Sequence, residues 1–139
     1  MTVLLVEDDA MVRLTLADFF EAVGLDFLEA DNAEDALAII ADKAQTIDVL
    51  VTDLDLGLGD SGLILAKKAR LLQPELRVVY ETGSPELFLG HTFSERERVF
   101  HKPFDPIALA HAVLALQGGD RGAGWRQRPA GEKAVASSL

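Results

Sequence analysis

Two short, unbroken apolar runs, "VLLV" at residues 3–6 and "VLV" at 49–51, constrain this chain more than any other feature. Neither is long enough for a helix, and neither alternates with polar residues as a half-exposed strand does. Both are therefore expected to be strands covered on two faces, the mark of a parallel sheet. The stretch between them shows helical spacing: Val12, Leu16, Phe19, Phe20 and Val23 share a face, and Gly24 stands where a left-handed cap closes a helix. A strand "DFLEA" at 26–30 follows, then a helix capped by Asp31 or Asn32 with Leu37, Ile40 and Ala44 on one side.

The alternation continues to residue 117. "SGLILAKKARLLQ" reads as a helix stopped by Pro74, and "RVVYET" as a strand. Residues 83–97 are poorly patterned, with a short helix expected around 85–89. "RVFH" at 98–101 is the last strand, and "DPIALAHAVLAL" a helix with Asp105 as N-cap and Pro106 at its first position. Five strands alternating with about five helices predict an α/β domain over residues 1–117, a doubly wound five-stranded parallel sheet. Residues 118–139, rich in Gly, Arg and Ala without apolar periodicity, are expected to be a flexible tail with no output domain.

Composition narrows the function. With 139 residues the chain can bury one core. It has no cysteine, which excludes disulfides and thiolate zinc and fits a reducing, cytoplasmic setting. Met1 leads straight into "TVLLVEDD" without a secretory pattern, and no apolar stretch nears the roughly 20 residues of a membrane span. The formal charge is −10, and residues 118–139 hold four basic side chains (Arg121, Arg126, Arg128, Lys133) against Asp120 and Glu132. The rest of the chain therefore stands at −12, and such a body repels nucleic acid.

The carboxyl ends of parallel strands form one rim, where ligands bind. Glu7 and Asp8 follow the first strand, Asp53 ends the third, Thr82 ends the fourth and Lys102 follows the fifth. Acids converging from two strands cannot all stay ionised without a cation among them, and an oxygen-only donor set favours Mg2+. A metal and an ammonium beside Asp53 would let that carboxylate act as nucleophile in phosphoryl transfer, with the Thr82 hydroxyl donating to a phosphoryl oxygen. The plainer alternative is that Glu7, Asp8 and Asp9 only favour the N-terminus of the first helix, at about 0.3–1 kcal/mol each. His91, His101 and His111 show no ligand spacing and read as structural.

"VLLVEDD", "VLVTDLDLGLGDSG", "VVYETG" and "FHKPFDP", four motifs in order and at matching spacing, together resemble the receiver domain of bacterial two-component response regulators, over residues 2–117. The resemblance implies a flavodoxin-like fold in which Glu7 and Asp8 hold Mg2+, Asp53 accepts phosphate and the Asp55 carbonyl completes the metal shell. It also makes Thr82 the switch hydroxyl and Lys102 the phosphoryl-binding lysine, followed by a cis peptide at Pro103. By the same resemblance the partners are a histidine kinase or histidine phosphotransfer protein and a downstream protein reached through strand 4, helix 4 and strand 5. The domain would be a monomer or weak dimer that catalyses its own phosphorylation and slow dephosphorylation, without binding nucleic acid or membrane.

Two positions depart from the family pattern. Gly57 stands four residues after Asp53, where proline is usual, and Val99 stands three residues before Lys102, where Tyr or Phe is usual. Val99 keeps open a receiver-fold binding module that signals without phosphate. The Asp-x-Asp of "DLD" also resembles haloacid-dehalogenase-type phosphatases. Those usually carry it on the first strand and use a cap and a longer domain, whereas here it ends the third strand, and Glu7 and Asp8 would go unexplained.

Overall fold

The computed structural model describes residues 1–57 and 59–118. Strands β1 (Thr2–Val6), β2 (Asp26–Ala30), β3 (Val49–Asp53), β4 (Arg77–Thr82) and β5 (Glu97–His101) pair in parallel in the order β2-β1-β3-β4-β5. β1, β3 and β4 lie inside the sheet and, apart from half-buried Thr2, every one of their residues is buried. That is why their sequences run apolar without alternation. The edge strands β2 and β5 keep half-exposed positions.

Helices α1 (Ala10–Ala22), α2 (Ala33–Ala41), α3 (Gly62–Leu72) and α4 (Pro106–Leu114) cover both faces. On one face Leu16 and Phe20 of α1 and Leu109 and Val113 of α4 pack on Val3, Leu5, Val51, Val79 and Phe100. On the other, Ala36 and Ile40 of α2 and Leu65, Ala66 and Ala69 of α3 meet Leu4, Val6, Leu50, Val78, Tyr80 and Val99. The doubly wound five-stranded fold is as expected. Its strand order reverses between β1 and β3, so the crevice for a ligand opens beside the ends of those two strands.

Local chemistry sets the helix boundaries. Asp9, Asn32, Ser61 and Asp105 each accept a backbone N–H of the first turn, capping α1 to α4; such a cap stabilises by about 1 kcal/mol. Asn32, not Asp31, caps α2. That helix stops at Ala41, short of the expected Ala44, because Asp42 turns extended and its carboxylate accepts the Ala44 N–H at 2.9 Å. Ala44 is exposed, and Ala33 and Ala36 join Ile40 on the buried face. α4 tightens after Leu114 into a 3-10 turn, Ala115–Gly118.

The largest departure lies between β4 and β5. Where a fifth helix was expected there is a single 3-10 turn, Pro85–Phe88. The segment is shaped by what it must cover. Tyr80, 1% exposed, packs edge-on against Phe88, His91 and Phe93 with centroids 5.2, 6.4 and 6.3 Å away. Its hydroxyl donates to Glu97 Oε2 at 2.7 Å. Glu97 also accepts the Ser94 N–H at 2.8 Å, lies 2.9 Å from His91 Nε2 and forms an ion pair with Arg70 at 3.3 Å. A continuous helix from 85 would turn Phe93 about 140° around its axis from Phe88, whereas these contacts need all three rings on one phenol. His91 is thus structural, as expected. The flexibility expected for residues 118–139 falls outside the described residues except at Gly118. Among the described residues, no helix is long and apolar enough to cross a membrane.

Burial acts to raise the Glu97 carboxyl, but the hydrogen bonds from Ser94, Tyr80 and His91 outweigh it, and the net shift is downward. A lowered carboxyl contributes stability above its ordinary value of 4.5, lost as pH falls through the folded value. Glu97→Ala should cost about 1–3 kcal/mol at neutral pH by leaving the buried Tyr80 hydroxyl without its acceptor. In urea unfolding, the gap between parent and Glu97→Gln should narrow as pH drops below about 4.5.

Candidate functional site

Strand register assembles the site. Val6 lies beside Thr52 and Asp53 beside Glu81, so Glu7, Asp53 and Glu81 form one row across β1, β3 and β4. One carboxylate oxygen from each lies within 4.8 Å of the other two. All three acids are buried, Glu7 at 1% and Glu81 at 0% exposure. Lys102 enters from the end of β5, its own N–H held by the Thr82 carbonyl at 2.7 Å, and donates from Nζ to Asp53 Oδ2 at 2.9 Å. The Lys102–Pro103 peptide is cis.

Electrostatics in this row is severe. Burial, then a shared hydrogen bond with Glu81, then the charges of Glu81 and Asp53 push the Glu7 carboxyl up to about 10. Glu81 is raised too, chiefly by burial. Burial works to lower the Lys102 ammonium, but the hydrogen bond and charge of Asp53, with Glu81 and Glu7 behind it, hold it above its usual value. One lysine faces three acids. Glu7 Oε2 accepts the Asp9 N–H at 3.2 Å, whereas Glu7 Oε1 and both Glu81 oxygens meet no donor other than the proton the two acids share. Buried carboxylate oxygens short of donors, in an oxygen-only donor set, fit a hard divalent cation.

The other expected site residues take different places. Asp8 is exposed and stands outside the three-acid cluster, and a Cβ added to Gly57 would lie 3.1 Å from its Oδ2. Asp9 is the N-cap of α1, so the helix-terminus reading of the acidic run holds for that residue. Asp55 is exposed; its N–H donates to Asp53 Oδ1 at 3.0 Å and its side chain accepts the Gly57 N–H at 3.1 Å. Gly57 has φ +73°, which a proline ring locked near −65° cannot adopt, so the missing proline follows from the turn itself. Thr82 is buried at the end of β4, and its hydroxyl oxygen accepts the Ser84 N–H at 2.8 Å.

Sequence reading brought Glu7, Asp53 and Lys102 together and missed Glu81 and Tyr80. The signal for Glu81 was present: an acid inside the apolar run "RVVYET", one residue before Thr82, falls beside Asp53 once the two strand ends are aligned.

A doubly wound parallel sheet whose carboxyl rim gathers a buried aspartate, a lysine and further acids is the architecture of an α/β domain with a ligand site at its strand ends. The chain belongs to the response regulator receiver domain family, whose model matches residues 3–114. It is similar to the phosphate regulon transcriptional regulatory protein PhoB of Pseudomonas aeruginosa, at 39% identity over 130 residues, 84% of this chain and 53% of that protein. It spans about half the length of the first curated relatives it matches, 44% and 53% of theirs. Among solved structures, the receiver domain of the hybrid histidine kinase CckA is 32% identical with a TM-score of 0.69, covering 83% of this chain and 97% of that one. The response regulator TrrA of Thermotoga maritima, in complex with Mg2+ and BeF, shares the fold at 22% identity and a TM-score of 0.70, again over 83% and 97%.

One glycine ties the site to α3. A Cβ at Gly62 would collide with the Asp53 carbonyl and come within 3.0 Å of Leu54 Cα. Gly62→Ala must displace the Asp53–Leu54 backbone, and urea unfolding should show a loss of about 1–3 kcal/mol.

Proposed function

We propose that this domain takes a phosphoryl group onto Asp53 in a two-component pathway, from a histidine kinase or histidine phosphotransfer protein, with Mg2+ as cofactor. The observation that carries this reading is Lys102 Nζ at 2.9 Å from the carboxylate of Asp53, which ends a buried strand in a row of acids. In the transfer, an Asp53 oxygen attacks phosphorus, the P–N bond of the donor phosphohistidine breaks, and an acyl phosphate forms on Asp53 while the imidazole leaves. Lys102 is placed to follow the charge from the carboxylate to the phosphoryl oxygens. Glu7 and Asp53, with Asp8 from the loop after β1 and the Asp55 carbonyl, would hold the Mg2+, which when bound neutralises phosphoryl charge. A haloacid-dehalogenase reading leaves Glu7 and Asp8 without a role, and membership of the receiver family speaks against it.

Acetyl phosphate with Mg2+ should add one phosphoryl mass to the intact protein, and Asp53→Asn should abolish the addition. A full adduct on that variant would sink the assignment. A receiver that signals without phosphate would instead show one and the same partner affinity for the parent, its acyl-phosphate form and the Asp53→Asn variant.

The output is proposed to run through residues 82–96. Val99 is buried beside Tyr80 in the register of β4 and β5, so the aromatic ring at this level stands on β4. A phosphoryl oxygen at Asp53 accepts the Thr82 O–H and turns the hydroxyl toward it, releasing the Ser84 N–H and loosening the near end of the segment, while Glu97 holds its far end. The surface offered to a downstream protein is then the 3-10 turn and its flanks, in place of a fourth-position helix. Backbone shifts on adding beryllofluoride should concentrate at residues 82–90 and stay small at Val99. A rearrangement centred on Val99 with a silent 83–90 stretch would defeat this route.

A further inference from the structure

Glu81 is a charged residue in a place built for an apolar one. It sits in an all-buried strand, and its carbonyl accepts the Leu54 N–H at 2.9 Å, pinning β4 to the chain just past Asp53. Registered beside Asp53, its side chain leaves the sheet on the same face, and its additional methylene carries the carboxylate on toward Glu7. Glu81 is 0% exposed, and apart from a proton shared with Glu7 no donor meets either of its oxygens. Lys102 is engaged with Asp53, which leaves Glu7 and Glu81 as two neighbouring acids with one oxygen and two, respectively, that no other donor meets. A buried pair of acids, each the other's main partner, must hold a shared proton or a cation, since leaving both charged costs several kcal/mol.

We infer that Glu81 is a direct carboxylate ligand of the divalent cation held beside Asp53, acting with Glu7 and Asp53. The inference rests on the reading of that rim as a cation site, and adds a ligand from β4 to it. Oxygens up to 4.8 Å apart match the span across a single ion with metal–oxygen distances of roughly 2.0–2.6 Å. A dication also balances the two acid charges that Lys102 leaves over.

The extra protein carboxylate has a consequence for selectivity. Mg2+ dehydrates reluctantly and keeps several waters, whereas larger ions accept more carboxylate oxygens. Glu81 therefore favours Mn2+ over Mg2+ relative to the same site without it.

The test is Mn2+ and Mg2+ titration of the full chain by calorimetry, with Glu81→Gln, Glu81→Leu and Asp53→Asn as variants and thermal melts in parallel. Glu81→Gln should raise the Mn2+ Kd by tenfold or more and shrink the Mn2+ over Mg2+ preference. Glu81→Leu should melt higher than the parent in chelator, because a buried acid crowded against Glu7 and Asp53 is gone, and gain less than the parent when Mn2+ is added. If both Glu81 variants bind Mn2+ with the parent's Kd while Asp53→Asn binds weakly, the cation site stands and Glu81 is not in it. If the parent itself binds neither ion at millimolar concentration, both the site and this ligand are overturned.

Discussion

Three carboxylates and one ammonium, packed where the central strands end, set the terms for the rest of the molecule. Taking such charges out of water is tolerable only if their geometry is fixed, because each interaction in a low dielectric changes steeply with distance. The parallel register supplies that fixity. Glu7, Asp53 and Glu81 occupy one level of three neighbouring strands, and the Leu54–Glu81 and Lys102–Thr82 backbone hydrogen bonds carry the order past the strand ends. The apolar layers on both faces exist, in this sense, to keep one row of polar atoms in place.

The same logic recurs at the other end of β4, with a different outcome. Glu97 is as deeply buried as Glu7, yet it accepts hydrogen bonds from Tyr80 and Ser94, meets His91 and faces Arg70. Its carboxyl is stabilised as an anion, whereas that of Glu7 is pushed the opposite way. One acid is satisfied by the fold itself and serves architecture. The others are left short of partners, and that shortfall is what distinguishes a ligand site from a structural knot.

Much of this was legible in the sequence, and the limits are physical. β1 and β3 could be placed because central parallel strands do not tolerate polar alternation, and the starts of α2 and α4 because Asn32 and Asp105 are side chains that satisfy free N–H groups. A helical turn near 85–89 was legible, but the path after Phe88 was not, because Phe88, His91 and Phe93 are ordered by a tertiary partner, Tyr80, that no local period encodes. Glu81 escaped for a related reason. Its meaning depends on which residue of a strand 28 positions away stands next to it, and register is invisible until both strand ends are fixed.

Tyr80 standing on β4 beside Val99 on β5 makes these two positions a complementary pair: a large ring on one strand requires a small branched side chain on the next. The two are then free to change only together. Installing an aromatic at 99 while Tyr80 remains would overfill a closed layer instead of restoring a familiar lever. Chains that share this domain's arrangement should thus sort by the sum of the two volumes, so that covariation between 80 and 99, more than the identity of either, reports which strand carries the moving ring.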